Sequence, residues 1–230
     1  MGDDAGHKVW DHVLATVLRL PGAKVDRASF LRSALTPHFS ASDVERAIRT
    51  TPAKAGLDPA AIRAAAKSSI RWHRAGVTAI SFAGGVPGGW WIAGTIPADL
   101  VQYFWHVLVV AQKLAYLHEW PSLFGDGVNV DDTQLVLTLF VGVMLGVHGA
   151  SEALGGFSTA AFTKLALYRA AKAVKRLIAA SLTKKGFAES IGRAVPLVGG
   201  VVAGTFTWMA FGKGCQRLIE HLEPQPLAEP

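Results

Sequence analysis

Four residues within one short stretch have side chains suited to chemistry: Asp99, Gln102, His106 and Lys113. Their spacings of 3, 4 and 7 place them on one stripe of an α-helix. A carboxylate, an amide, an imidazole and an amine in line can hold a polar head group. They can also move protons, because an imidazole titrates near neutral pH. In that role His106 is the expected base, Asp99 its orienting carboxylate and Lys113 an anion clamp. Asp99 also stands two residues after Pro97, where a carboxylate stabilises a helix N-terminus through the helix dipole. His148 and Glu152, at i and i+4, suggest a second shared helix face. They read as a buried pair, or as a weak metal-ligand candidate. They do not complete a His-Glu-x-x-His pattern, so neither metal nor other cofactor is expected.

Other chemistries are excluded by what the motifs lack. Ser151, Ser158 and Ser190 have no Gly-x-Ser-x-Gly surroundings. The glycine clusters lack the Lys-Ser/Thr ending of a phosphate-cradling loop. The single cysteine, Cys215, excludes an intrachain disulfide and a Cys-rich zinc site, and reads as a small structural residue.

Positioning the candidate residues requires helices. Trp10, Val13, Leu14, Val17 and Leu18 mark one face of a helix over 10–20, stopped by Pro21-Gly22. Ser40 or Ser42 caps a second, ending before Pro52, and Asp58-Pro59 opens a third to about Arg74. Residues 75–98 are uncharged over 24 positions, but Gly76, Gly84, Gly85, Gly88, Gly89, Gly94 and Pro87 interrupt them. Each glycine costs about 1 kcal/mol in a helix and the proline about 3. The expectation is two short apolar pieces around a glycine-rich break, with Trp90-Trp91 inserted in lipid or lining a pocket. A long helix follows from Thr95-Ile96-Pro97 to about His118.

Two further uncharged runs, 133–151 and 194–212, carry small residues four apart, such as Gly142/Gly146/Ala150 and Gly200/Gly204. Such spacing lets helix backbones approach closely. Between these runs, residues 160–182 form a basic amphipathic helix with Lys164, Arg169, Lys172, Lys175 and Arg176. Leu165, Leu167, Tyr168, Val174, Leu177 and Ile178 are its expected apolar side, suited to an anionic bilayer surface. No alternating strand pattern appears, and the fold class is all-α, a multi-helix domain with apolar, glycine-rich central helices.

Composition agrees. Half the residues are hydrophobic, 17% are charged and mean hydropathy is +0.30, which excludes a disordered chain. The net charge of +6 is split. Residues 1–75 hold 12 Lys/Arg against 7 Asp/Glu, residues 76–160 hold 1 against 6, and residues 161–230 hold 10 against 4. Basic flanks around an oily centre suit an anionic membrane or lipid, and no nucleic-acid partner is expected.

Three stretches resemble the bacterial EcsC protein family. They are Phe82-Ala83-Gly84-Gly85 through Pro97-Ala98-Asp99-Leu100; Ala111-Gln112-Lys113-Leu114-Ala115-Tyr116; and Ile191-Gly192-Arg193-Ala194-Val195-Pro196-Leu197-Val198-Gly199-Gly200. The last is similar to the family's IGR-x-x-P-x-x-G-G/A signature. The resemblance covers residues 65–222. Where the family often has Tyr-Gly, this chain has His118-Glu119-Trp120-Pro121. Founding members are encoded beside an ABC transporter, so the resemblance implies a membrane-linked bacterial context and possible membrane-protein partners, not a reaction.

The expected organisation is an N-terminal helical segment (1–57), an EcsC-like core (58–222) and a tail (223–230). Met1–Lys8 carries two Asp and no apolar core, so it reads as no secretory signal. A cytoplasmic protein at the inner face of the membrane is expected. It would bind lipid or another apolar ligand through Trp90, Trp91, Asp99, Gln102 and His106. The alternatives are an enzyme on a hydrophobic substrate and a protein-interaction or pore-forming module.

Overall fold

The computed structural model describes residues 3–83, 98–157, 164–181 and 199–222, and every regular element among them is an α-helix. α1 (Asp3–Leu18) buries Trp10, Val13, Leu14 and Val17, the face expected from their spacing. α2 (Arg27–Leu35) was not expected. Its nine residues are too few to show periodicity, and it is set by its ends. The Asp26 carboxylate accepts from Ser29 N at 2.8 Å, while Phe30, Leu31 and Leu35 face inward. α3 (Ala41–Arg49) starts at the expected Ser40 cap.

α4 (Pro59–Ala83) runs beyond the expected stop at Arg74, because Val77 continues its buried stripe. α5 (Ala98–Leu117) follows. α6 (Val130–Leu145) is capped by Asn129, whose side chain accepts from Asp131 N and Asp132 N, and Gly146 ends it at φ 69° in the left-handed region. The second uncharged run is therefore two helices, α6 and α7 (Ala150–Phe157), and its oiliness is that of a core: Val136 to Met144 are all buried. α8 (Lys164–Ser181) and α9 (Gly199–Leu222) complete the described chain. Among the described residues no helix is long and apolar enough to cross a membrane.

α5 is the hub. It packs on α1, α2, α4, α6 and α9, while α8 closes the far side on α1, α6 and α7. Small residues allow the tightest crossings. A Cβ on Gly142 of α6 would meet Val174 Cγ1 of α8 at 2.5 Å, and one on Gly214 of α9 would meet the Met144 carbonyl at 2.7 Å. Cys215 of α9 is buried, and burial pushes its thiol up to about 12. That keeps it an unreactive thiol.

The N-terminal helices share this core. Trp10 Nε1 donates to Thr138 Oγ1 of α6 at 3.0 Å, and its ring meets Phe104 edge-on at 5.2 Å. Gln112, fully buried on α5, binds the turn after α1: its Oε1 accepts from Val25 N at 2.9 Å and its Nε2 donates to Ala23 O at 2.9 Å. The corner at His118-Glu119-Trp120-Pro121 is a second clasp. Arg27 donates to Trp120 O at 3.1 Å, Ile48 O at 2.7 Å and Thr50 O at 3.0 Å. Glu119, at φ 74°, accepts from Ala53 N at 2.9 Å. This corner thus ties α2 and the segment after α3 to the end of α5.

Removing the Gln112 amide leaves Val25 N–H and Ala23 C=O buried without their partner. Each stranded group costs about 1–3 kcal/mol. Gln112→Leu is expected to lower the urea-unfolding free energy by at least that much, whereas Gln216→Leu on the exposed side of α9 stays within about 0.5 kcal/mol.

Candidate functional site

Apolar residues on α4 recur as Ile62, Ala65, Ala66 and Val77, all buried. His73 falls in the same register and is fully buried with them. It faces α5, where Gly76 lets the two backbones close in: a Cβ there would come within 2.7 Å of His106 Nε2. The His73 and His106 Nδ1 atoms lie 3.0 Å apart, with rings edge to face. Lys113, two turns further along α5, places Nζ 3.1 Å from His73 Nε2. Its ammonium also sits over the Phe30 and Trp72 rings, 5.7 and 5.3 Å from their centroids. The result is a row of imidazole, imidazole and amine with no carboxylate in contact among the described side chains.

Burial decides the charge of this row. It pushes His73 down to about 2, with help from the Lys113 charge and then His106. It also lowers His106, again with Lys113 beside it, and lowers Lys113 itself. Both imidazoles are neutral near pH 7, and any positive charge resides on the amine.

His106 also lines an open groove of about 570 Å³ with Leu20, Pro21, Ala98, Val101, Gln102 and Trp105. The turn after α1 forms one wall, fastened where Trp105 Nε1 donates to Pro21 O at 3.1 Å. Trp72, 59% exposed, leans on both Trp105 and His106, with centroids 6.4 and 5.8 Å away.

The structure therefore brings the expected stripe on α5 together only in part. Gln102 is exposed at the groove and His106 lines it. Lys113 is turned onto His73 and is not an anion clamp in the groove. His73 holds His106 at Nδ1, the part expected of Asp99, whose side chain lies outside the described residues, as do Trp90 and Trp91. His148 and Glu152 do not share a helix face or form a buried pair. Gly146 ends α6 before His148, α7 starts at Ala150, and both side chains are exposed. No cluster of three metal-ligating side chains occurs among the described residues.

On α8, Arg169, Lys172 and Arg176 are exposed, but Lys175 is drawn inward to Asp11 of α1 at 2.7 Å. The Lys164 side chain lies outside the described residues. Of the expected apolar side, Tyr168 and Leu177 share the exposed face with the cations, while Val174 and Ile178 are buried.

Sequence reasoning missed a second basic face. Arg63, Lys67 and Arg71 are exposed on α4, which contains no acidic residue. Beside them Arg74 donates to Trp208 O of α9 at 2.6 Å and stacks on the Trp208 ring, 4.0 Å from its centroid. Trp208 and Met209 are 37% and 41% exposed. The four-residue spacing of Arg63, Lys67 and Arg71 was visible in the sequence; the pairing of Arg74 with α9 was not.

No protein-family model, curated protein or solved structure matches this chain.

The buried row gives stability a pH dependence. The unfolded chain protonates His73 near 6.5, whereas the folded protein keeps it neutral to about pH 2. Between these values the unfolded state binds more protons, so stability falls as pH drops, by about 1.4 kcal/mol per unit for one such group. His106 adds to the same trend. Denaturant titrations of the His73→Phe variant are expected to show a shallower loss between about pH 6 and 4 than the parent, by about that slope.

Proposed function

We propose that this is a peripheral membrane protein that docks on an anionic bilayer surface and takes an apolar or amphiphilic ligand. This is the context that the resemblance to the EcsC family implies. The observation that carries the reading is the exposed surface of α4 and α9: Arg63, Lys67, Arg71 and Trp72 on α4, and on α9 Met209 and Trp208, the latter stacked on Arg74. Like charges four residues apart on a helix repel by a few tenths of a kcal/mol. Anionic head groups relieve that repulsion, and each Lys or Arg near such a surface contributes about 1 kcal/mol. Tryptophan suits the head-group level, where one side of the ring is apolar and the other wet.

The exposed face of α8 has the same composition, with Arg169, Lys172 and Arg176 beside Tyr168 and Leu177. The cytoplasmic side of a cell membrane, whose lipids are anionic, is the surface these two faces fit. Amphiphiles would pass from the bilayer past Trp72 to the groove at Trp105 and His106.

Vesicle co-sedimentation tests this. The chain is expected to bind phosphatidylglycerol-containing vesicles at low salt, to be released near 1 M salt, and to ignore pure phosphatidylcholine. Losing two charges in Lys67→Gln/Arg71→Gln should weaken binding by roughly 30-fold. Absence of binding to anionic vesicles at low salt overturns the reading.

A further inference from the structure

We infer that the groove beside His106 takes the head of a single-chain carboxylate amphiphile, held by the His106 Nε2–H and the Gln102 amide. The inference rests on the ligand-binding half of the proposed function and assigns its chemistry. It starts from the direction of the hydrogen-bonded row. An ammonium only donates. Lys113 Nζ, 3.1 Å from His73 Nε2, therefore makes that nitrogen the acceptor. A neutral imidazole carries one N–H, so the His73 proton sits on Nδ1. That N–H points along the 3.0 Å contact to His106 Nδ1, which must accept. The His106 proton is then on Nε2. The row fixes the tautomer of a ring that lines the groove, and it fixes it as a donor.

Gly76 makes room for the ring in this position: a Cβ there would stand 2.4 Å from Cε1 and 2.7 Å from Nε2 and force the imidazole away. Gln102 lies one helical turn before His106 and faces the same groove, where its amide adds a second donor. Trp105 Nε1 is already committed to Pro21 O. Two donors side by side match the two oxygens of a carboxylate. The Lys113 charge at the rear of the row polarises it toward an anion in front, and no described carboxylate opposes that charge. Leu20, Pro21, Ala98, Val101 and Trp105 form the rest of the lining, which suits an alkyl chain. The groove volume of about 570 Å³ falls within the range of small-molecule sites.

The test uses the full chain with three probes of equal chain length: dodecanoate, dodecanol and dodecyltrimethylammonium. Long-range ¹⁵N correlation spectra at neutral pH should show His73 protonated on Nδ1 and His106 on Nε2. Calorimetric titration should give dodecanoate at least about tenfold tighter than dodecanol, the usual gain for a hydrogen bond to a charged group, with the cationic probe weakest. Dodecanoate should move the His106 Nε2 resonance. In Gln102→Ala, whose side chain is exposed and outside the core, the preference for dodecanoate over dodecanol should shrink several-fold. His106→Phe should abolish the preference.

Equal affinities for dodecanoate and dodecanol, an unmoved His106 signal, or the opposite tautomers would overturn the inference. Vesicle binding measured on the same samples separates the two claims. Binding to anionic vesicles without a dodecanoate response sinks the carboxylate site alone. A dodecanoate response without vesicle binding sinks the membrane role alone.

Discussion

The structure depends on one constraint: α5 is wrapped by five other helices, yet it carries polar side chains. A helix buried on most of its surface must satisfy those groups internally, since a buried polar group without a partner costs more than its hydrogen bond returns. The buried polar residues of α5 accordingly dictate neighbours. Gln112 draws in the turn after α1, Tyr116 donates to Val25 O at 3.2 Å, and His106 requires His73. The N-terminal helices are positioned by these demands as much as by apolar contact. The same demands create the candidate site, because the row from Lys113 to His106 exists to place nitrogen atoms that could not be left alone in a core.

Elements whose signal was local were legible in the sequence. The Ser40 cap, the opening of α5 at Ala98 and the Trp10–Leu18 face are all properties of a few adjacent residues. The all-α class followed from them. What was not legible was set by contacts between distant segments. His73 looked like one more position on an apolar stripe, and only the approach of α4 to α5 at Gly76 makes it the partner of His106. Lys175 looked equivalent to Lys172 until α1 brought Asp11 beside it. The break after Gly146 separated His148 from Glu152, a reminder that four-residue spacing has meaning only inside an unbroken helix. Trp208 and Met209 belonged to an uncharged run in the sequence, and they emerge from the core only because α9 turns that side past Arg74.

The oily runs deserve the same reading. Residues 133–145 are uncharged because α6 is packed among other helices, and the close approaches at Gly142 and Gly214 are crossings within that core. The features that face outward are different in kind: cations and large aromatic side chains mixed on α4, α8 and α9. Hydrophobicity inside and amphipathic character outside thus occupy separate parts of the molecule, although the sequence interleaves them.

The His73–His106–Lys113 row, with Gly76 beneath it, also limits how this chain can drift over generations. Losing the amine leaves His73 Nε2 facing an empty aromatic cage, and losing either imidazole strands the other inside the core. Replacing the glycine forces the His106 ring aside. No single step away from the four is neutral. Descendants that keep one member should therefore keep all of them, and those that abandon the row should do so together, with apolar residues taking every place at once.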